Sequence, residues 1–259
     1  MTPAAKPGIF ARLRDRTVAL GHRVFGHVPA SVGGHLHRLP PRFTFGITGP
    51  FNGQRRRVAA VTAMFGAIPF ATIIETGTYR ALTTRHLRQV SSAPIATIEV
   101  NPSYYEYSRR RLASLKDVSQ FLGHSPVVLE RLADDPAWQG EPCFFYLDAH
   151  WLNDLPLVDE LRVVRRGWRN FAALIDDFRV DGDDGYYFDD YGPGKTLELA
   201  LLAGQDDLAD LDVFWPAAPS RQETGARRGW VVLASHGQVS DALRILTDLR
   251  PAGRLGALI

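Results

Sequence analysis

The chain has 259 residues, 45% of them hydrophobic, and a formal net charge of +2. That length buries the core of one α/β domain with an appendage more readily than the cores of two full domains. A single cysteine, Cys143, excludes an internal disulfide framework and a thiolate metal cluster, so a bound metal would be held by oxygen or imidazole.

Charge is unevenly spread. Residues 1–57 carry ten Lys or Arg and one acid, a surplus of +9, which leaves −7 for the remainder. Within the basic front, Ile9 to Val28 reads as a helix whose apolar surface comes from Ile9, Phe10, Leu13, Val18, Leu20, Val24 and Phe25. The expected use is an arm packed on its own domain or on a second subunit, which leaves a homodimer open. No nucleic-acid motif of ordered aromatic and basic residues accompanies it, so nucleic acid is not an expected partner. The start, Met-Thr-Pro-Ala-Ala-Lys-Pro, lacks a basic-then-apolar leader, and no apolar run approaches the roughly 18 residues of a membrane span. A cytoplasmic protein without stable membrane insertion is expected. Residues 29–50, rich in Pro, Gly and His, read as a connector. The expected organisation is therefore a basic arm and connector over 1–50 and one domain over 51–259.

From Gln54 a helix is expected to Phe65, and strand and helix signals then alternate. Strands are predicted near 71–75, 94–99, 120–122, 143–148, 171–176, 211–215 and 229–234. Helices are predicted near 80–90, 102–115, 125–133, 154–166, 195–203 and 237–248. Repeated β-then-α units imply a Rossmann-like doubly wound sheet, mostly parallel, with ligands at the carboxyl ends of the strands. The last two predicted strands flank a charged, Pro-rich segment from Pro216 to Arg228, which suits a C-terminal antiparallel hairpin.

Two groups of residues at predicted strand ends carry chemistry. Glu75-Thr-Gly77 closes the first strand, and twenty-four residues later Glu99 closes the second. That acid spacing suits a carboxylate accepting hydrogen bonds from both hydroxyls of a ribose. Only Gly77 survives of the Gly-x-Gly-x-x-Gly pattern, with Tyr79 and Leu82 at the other two places, which argues against a pyrophosphate-bearing dinucleotide. S-adenosylmethionine has no phosphate, and one glycine can suffice for it; a turn that needs Gly for geometry alone is the alternative. Gly123-His124-Ser125 follows the third strand, where the Ser125 hydroxyl could meet an adenine edge or cap the helix. A hydrolase elbow is disfavoured because Val127 stands at its last Gly position.

The second group is Asp148 in Tyr-Leu-Asp-Ala-His-Trp and Asp176-Asp177 in Leu-Ile-Asp-Asp-Phe. Twenty-eight residues between Asp148 and Asp176 allow one helix to cross back and the next parallel strand to end beside the first. Three carboxylates converging there, Asp148, Asp176 and Asp177, would suit Mg²⁺ or a similar divalent cation, since an unpaired buried trio would repel itself strongly. The alternative is that Asp176 and Asp177 cap a loop and Asp148 pairs with an arginine. His150, two residues beyond Asp148, titrates near neutrality and suits proton removal from a hydroxyl, or serves only as a structural hydrogen-bonding group. The acidic loop from Asp181 to Gly192 misplaces the glycine and the closing glutamate of a calcium hand. Gly194-Lys195-Thr196 lacks the first glycine of a phosphate loop. Tyr186, Tyr187 and Tyr191 are expected to face a substrate or solvent, and Arg227 and Arg228 to lie on a solvated hairpin or to line the same mouth.

With both groups in place, residues 51–235 resemble class I S-adenosylmethionine-dependent methyltransferases. Glu75-Thr-Gly77 and Glu99 look like that superfamily's first two motifs. Tyr-Leu-Asp148-Ala-His150-Trp followed by Ile-Asp176-Asp177 is similar to the metal-binding pattern of cation-dependent O-methyltransferases of the catechol and macrocin-type sugar classes. Ala81 stands where the first motif often has glycine, and Leu152 where catechol enzymes carry a lysine base. The resemblance implies a divalent cation, usually Mg²⁺, on Asp148, Asp176 and Asp177, with His150 as base and Asp148 sharing the catalytic site. It further implies a methyl donor held by Gly77, Glu99, Glu75 and Ser125, and a small-molecule or sugar hydroxyl as acceptor. The rival readings are a non-catalytic binding or assembly protein of the same fold and, more weakly, a metal-dependent hydrolase.

Overall fold

The computed structural model describes Pro29, residues 49–150 and residues 154–259. The expected basic helix and nearly all of the expected arm and connector lie outside the described residues, as do Trp151 and Leu152. A short turn at Phe51–Gly53 leads into α1 (Arg55–Ala67). Then β1 (Thr72–Thr76), α2 (Leu82–Val90), β2 (Ile95–Glu99), α3 (Pro102–Leu112), β3 (Val118–Leu122), α4 (Ser125–Ala133), β4 (Cys143–Leu147), α5 (Leu157–Gly167) and β5 (Phe171–Asp176) alternate as expected. The chain ends with β6 (Asp212–Pro216), β7 (Trp230–Ala234), α6 (Gln238–Arg244) and β8 (Leu249–Arg254).

All eight strands of the described residues join one sheet in the order β3-β2-β1-β4-β5-β7-β6-β8. β1 to β5 pair in parallel, while β7 is antiparallel to β5 and β6, and β8 antiparallel to β6. This is the Rossmann-like architecture expected, with its reversed C-terminal strands. The central strands are buried on both faces, as continuous apolar runs require. Strand alternation splits their side chains between two cores. Ile74, Phe145, Ala173 and Leu233 pack with α4 and α5 residues such as Leu129 and Leu161. Ile73, Phe144, Leu174 and Val232 pack with Val61 of α1, Leu87 of α2 and Leu243 of α6.

Two elements differ from expectation. The helix predicted over 195–203 is only a 3-10 turn at Leu199–Leu202, because Leu197 donates its N–H to the Asp189 carbonyl and accepts from Arg179 N, which holds the segment extended on the acidic loop. β8 was not expected, since Pro251 and Gly253 interrupt its strand signal. At the sheet edge both residues are tolerated. No helix among the described residues is long and apolar enough to cross a membrane.

Strand order reverses between β1 and β4, and the loops leaving their carboxyl ends diverge to opposite halves of the sheet. That divergence opens a crevice where ligands of doubly wound folds bind.

Candidate active site at the carboxyl ends of the strands

Gly77 leaves β1 at φ +86°, and a Cβ there would stand 2.2 Å from the Asp148 carbonyl oxygen. Glycine is needed because the chain leaving β4 runs against this turn: Asp148 donates its N–H to Thr76 O at 3.1 Å. Tyr79 and Ala81 also adopt positive φ, 46° and 57°. At Ala81 this explains why related turns favour glycine. Tyr79 thereby points its N–H at Glu99 Oε2, 2.7 Å away, while Asn101 N donates to Oε1 at 2.8 Å. Burial pushes the Glu99 carboxyl up to about 7 against those N–H donors. Glu75 is 1% exposed and is likewise pushed up to about 7 by burial, although Thr84 and Thr97 donate to its Oε2 at 2.5 and 2.6 Å. Its Oε1 has no hydrogen-bond partner. Ser125 does not cap α4: His124 is the N-cap residue, and the buried Ser125 hydroxyl lies beside the Glu160 carboxyl of α5.

At the other end, Leu147 of β4 pairs with Ile175 of β5, so Asp148 and Asp176 step off neighbouring strand ends. Their surroundings then diverge. Asp176 Oδ1 accepts from Arg57 Nη1 at 2.5 Å and from Asp177 N at 2.7 Å. Its Oδ2 accepts from the Tyr146 hydroxyl at 2.5 Å and from Asn52 Nδ2 at 3.0 Å. Arg57 and Asp176 are both fully buried. Asp176, expected as a metal ligand, is thus turned to a guanidinium brought by α1. Asp148, His150 and Asp177 converge instead, each offering one ligand atom within 4.8 Å of the others. His150 Nε2 lies 3.9 Å from Asp148 Oδ1 and 3.9 Å from Asp177 Oδ2, with no hydrogen-bond partner among the described residues although the residue is only 4% exposed.

The electrostatics sort these acids. Burial, then Asp176 and Asp177, push the Asp148 carboxyl well above the carboxylate range. Burial raises Asp177 too, but Arg228 and His150 together outweigh it and hold this carboxyl below the usual range. For His150 burial lowers the pKa, and Asp177 followed by Asp189 more than reverses it. In place of three carboxylates converging on one cation stand two aspartates paired with arginines and one, Asp148, whose ion-pair partner among the described residues is His150 alone.

Arg228, read from the sequence as part of a solvated hairpin, is instead clamped between Asp177 and Asp189. Asp177 sits at φ +54°, which turns its carboxylate towards this clamp. Of the loop tyrosines, Tyr186 is buried with its hydroxyl on Ala218 O at 2.9 Å, and Tyr191 donates to Asp189 at 2.5 Å. Tyr187 is the one left exposed at 36%. Sequence reasoning passed over Arg57 and Tyr146. A signal existed for Tyr146, two residues before Asp148 and hence on the same face of the strand; its hydroxyl lies 3.1 Å from Asp148 Oδ2.

Glu75, Gly77, Tyr146 and Asp148 line one cavity, of about 60 Å³, together with Asn52 and Thr83. The glycine turn and Asp148 therefore open into the same space.

No family model matches the chain, and no curated protein does. Among solved structures, the chain is similar to an O-methyltransferase by provisional assignment from Klebsiella pneumoniae, at 16% identity over 90% of this chain and 93% of that one, with a TM-score of 0.50. It also matches the O-methyltransferase TomG from Streptomyces achromogenes, solved with S-adenosylmethionine, at 16% identity over 91% and 93% and a TM-score of 0.47. A protein provisionally assigned as a caffeoyl-CoA O-methyltransferase from Staphylococcus aureus matches at 11% identity over 87% and 100%, with a TM-score of 0.49. At such identities the first of these establishes a shared fold.

Proposed function

We propose that the protein is an S-adenosylmethionine-dependent methyltransferase, a divalent-metal-assisted O-methyltransferase acting on a hydroxyl of a small molecule or sugar. The observation that carries this reading is the single cavity joining Glu75 and Gly77 to Asp148. A nucleoside cradle and a cation-binding cluster in one crevice is what in-line methyl transfer to an acidified hydroxyl demands.

The residues fit both absent groups. The orphaned Glu75 Oε1 is an acceptor suited to the donor's amino group, and the orphaned His150 Nε2 faces two carboxylate oxygens. When bound, the donor supplies an electrophilic methyl on a sulfonium, and the cation supplies the positive charge that lowers a hydroxyl's pKa. Glu99, held by Tyr79 N and Asn101 N, is oriented to accept from ribose hydroxyls. Ser125, buried at the start of α4, is the residue we assign to the adenine side. Asp148 and Asp177 hold the cation, and Arg228 fixes Asp177 from behind. His150 Nε2 serves either as proton acceptor or as a further ligand. The two roles are exclusive, because one lone pair serves only one of them. Residues 51–259 form the domain that does this work.

Calorimetry with S-adenosylhomocysteine, paired with methyl transfer to a panel of diols and sugars, tests the reading. Glu99→Ala should weaken nucleoside binding by about 10- to 100-fold, the worth of hydrogen bonds to a charged group. Asp177→Ala should abolish turnover and spare nucleoside binding. The opposite pattern, or no nucleoside binding by the wild type, contradicts the proposal and favours a non-catalytic protein of this fold.

A further inference from the structure

We infer that the cation of this centre is held by Asp148, His150 and Asp177, with Asp176 excluded, and that the imidazole makes it select a first-row transition-metal dication such as Mn²⁺ or Co²⁺ over Mg²⁺. The inference rests on the metal-assisted part of the function proposed above.

The exclusion of Asp176 is a matter of counting acceptor sites. A carboxylate has about four lone-pair positions. Those of Asp176 meet Arg57 Nη1, Asp177 N, the Tyr146 hydroxyl and Asn52 Nδ2, all within 3.0 Å. No position remains for an ion, and the buried guanidinium already neutralises the charge. Asp148 and Asp177 each spend one oxygen elsewhere, Asp148 Oδ2 near Tyr146 and Asp177 Oδ1 on Arg228. Their other oxygens, Asp148 Oδ1 and Asp177 Oδ2, are the two that face His150 Nε2 at 3.9 Å.

That distance is too long for a hydrogen bond. It lies within the span of two ligands on one ion, at most twice a metal–ligand bond of about 2.0–2.2 Å. A buried ring nitrogen is costly to leave unsatisfied, and here it is aimed between two carboxylate oxygens. A shared ion satisfies all three atoms at once. Imidazole is a poor ligand for Mg²⁺, which prefers oxygen and water, and a good one for borderline transition ions. One imidazole with two carboxylates therefore shifts the preference from Mg²⁺ towards transition metals. His150 in this role is a ligand and not the base.

The test uses the full chain, stripped with a chelator and titrated by calorimetry with Mn²⁺ and with Mg²⁺, followed by pulsed electron paramagnetic resonance of the Mn²⁺-loaded protein. The expected result is one Mn²⁺ bound at least ~10-fold more tightly than Mg²⁺, with nitrogen coupling from an imidazole. His150→Asp and His150→Asn should each remove the nitrogen coupling, and His150→Asp should narrow the Mn²⁺-to-Mg²⁺ gap. Equal affinity for the two ions in the wild type overturns the inference, as does wild-type Mn²⁺ without nitrogen coupling, or coupling that persists in a folded His150 variant. Failure of Mn²⁺ to bind also overturns it. Because neither donor nor acceptor is present in the titration, S-adenosylhomocysteine binding measured separately still decides the methyltransferase reading.

Discussion

At Gly77 a hydrogen stands where any other residue would place a carbon 2.2 Å from the Asp148 carbonyl oxygen. The clash is with backbone, so it cannot be relieved by a side-chain rotation. Gly77→Ala should therefore destabilise the protein by at least ~2 kcal/mol in urea denaturation, combining left-handed strain with displacement of the β4 end. Because that end carries Asp148, metal binding should weaken along with nucleoside binding. A variant of wild-type stability would show that the two loops do not meet here.

Glu75 gives a second residue-level prediction, about pH. Burial raises its folded pKa from 4.5 to about 7, so between those values the folded state holds a proton that the unfolded chain has lost. Its contribution to stability is present below about pH 4.5 and is lost as pH rises through about 7, at up to ~1.4 kcal/mol per pH unit. Glu75→Gln, which cannot ionise, should gain stability relative to wild type between pH 5 and pH 8 in thermal melts. A difference that does not change with pH would place Glu75 in an environment more polar than its burial indicates.

Among the elements, α1 is tied to the end of β5 by a charged contact as well as by Val61 and Met64 in the core. Arg57 also donates to Arg228 O and to Gln54 Oε1, and its N–H meets Glu223. Arg57→Met would leave Asp176 buried and unpaired, at an expected cost of about 3–5 kcal/mol by chemical denaturation. Adding Asp176→Asn should restore part of that loss, since the pair fails together. Additive effects of the two substitutions would mean that the ion pair contributes nothing of its own.

The same contact marks where sequence reasoning stops. Strand ends were legible: apolar runs followed by acids placed Asp148 and Asp176 on adjacent strands, and the β-then-α rhythm fixed their order. Which aspartate is neutralised was not legible. Arg57 lies 119 residues before Asp176 and Arg228 lies 51 after Asp177, so their pairing is decided by tertiary packing that no local pattern records. Residues 195–203 misled for a related reason. Their leucines suggest a helix, but Asp189 claims the Leu197 N–H. β8 escaped notice because edge strands accept the Pro and Gly that central strands refuse.

For the molecule as a whole, the reversal of strand order between β1 and β4 sets the crevice, and Glu75, Gly77 and Asp148 open into it. Glu99 and the Tyr79 turn lie on the β2 side, and the Asp148, His150 and Asp177 cluster lies towards β5. Charge is arranged around it: buried Arg57 pairs with Asp176, and half-buried Arg228 is shared by Asp177 and Asp189. Methyl transfer requires the nucleoside and the divalent ion to occupy the crevice together.

The most direct test is a crystal structure of the chain grown with S-adenosylhomocysteine and Mn²⁺, with the ion located by anomalous scattering. The account predicts a ribose on Glu99 and one peak bounded by Asp148, His150 and Asp177, with Arg57 still on Asp176. A peak on Asp176, or a nucleoside seated away from Glu99 and Gly77, would contradict it.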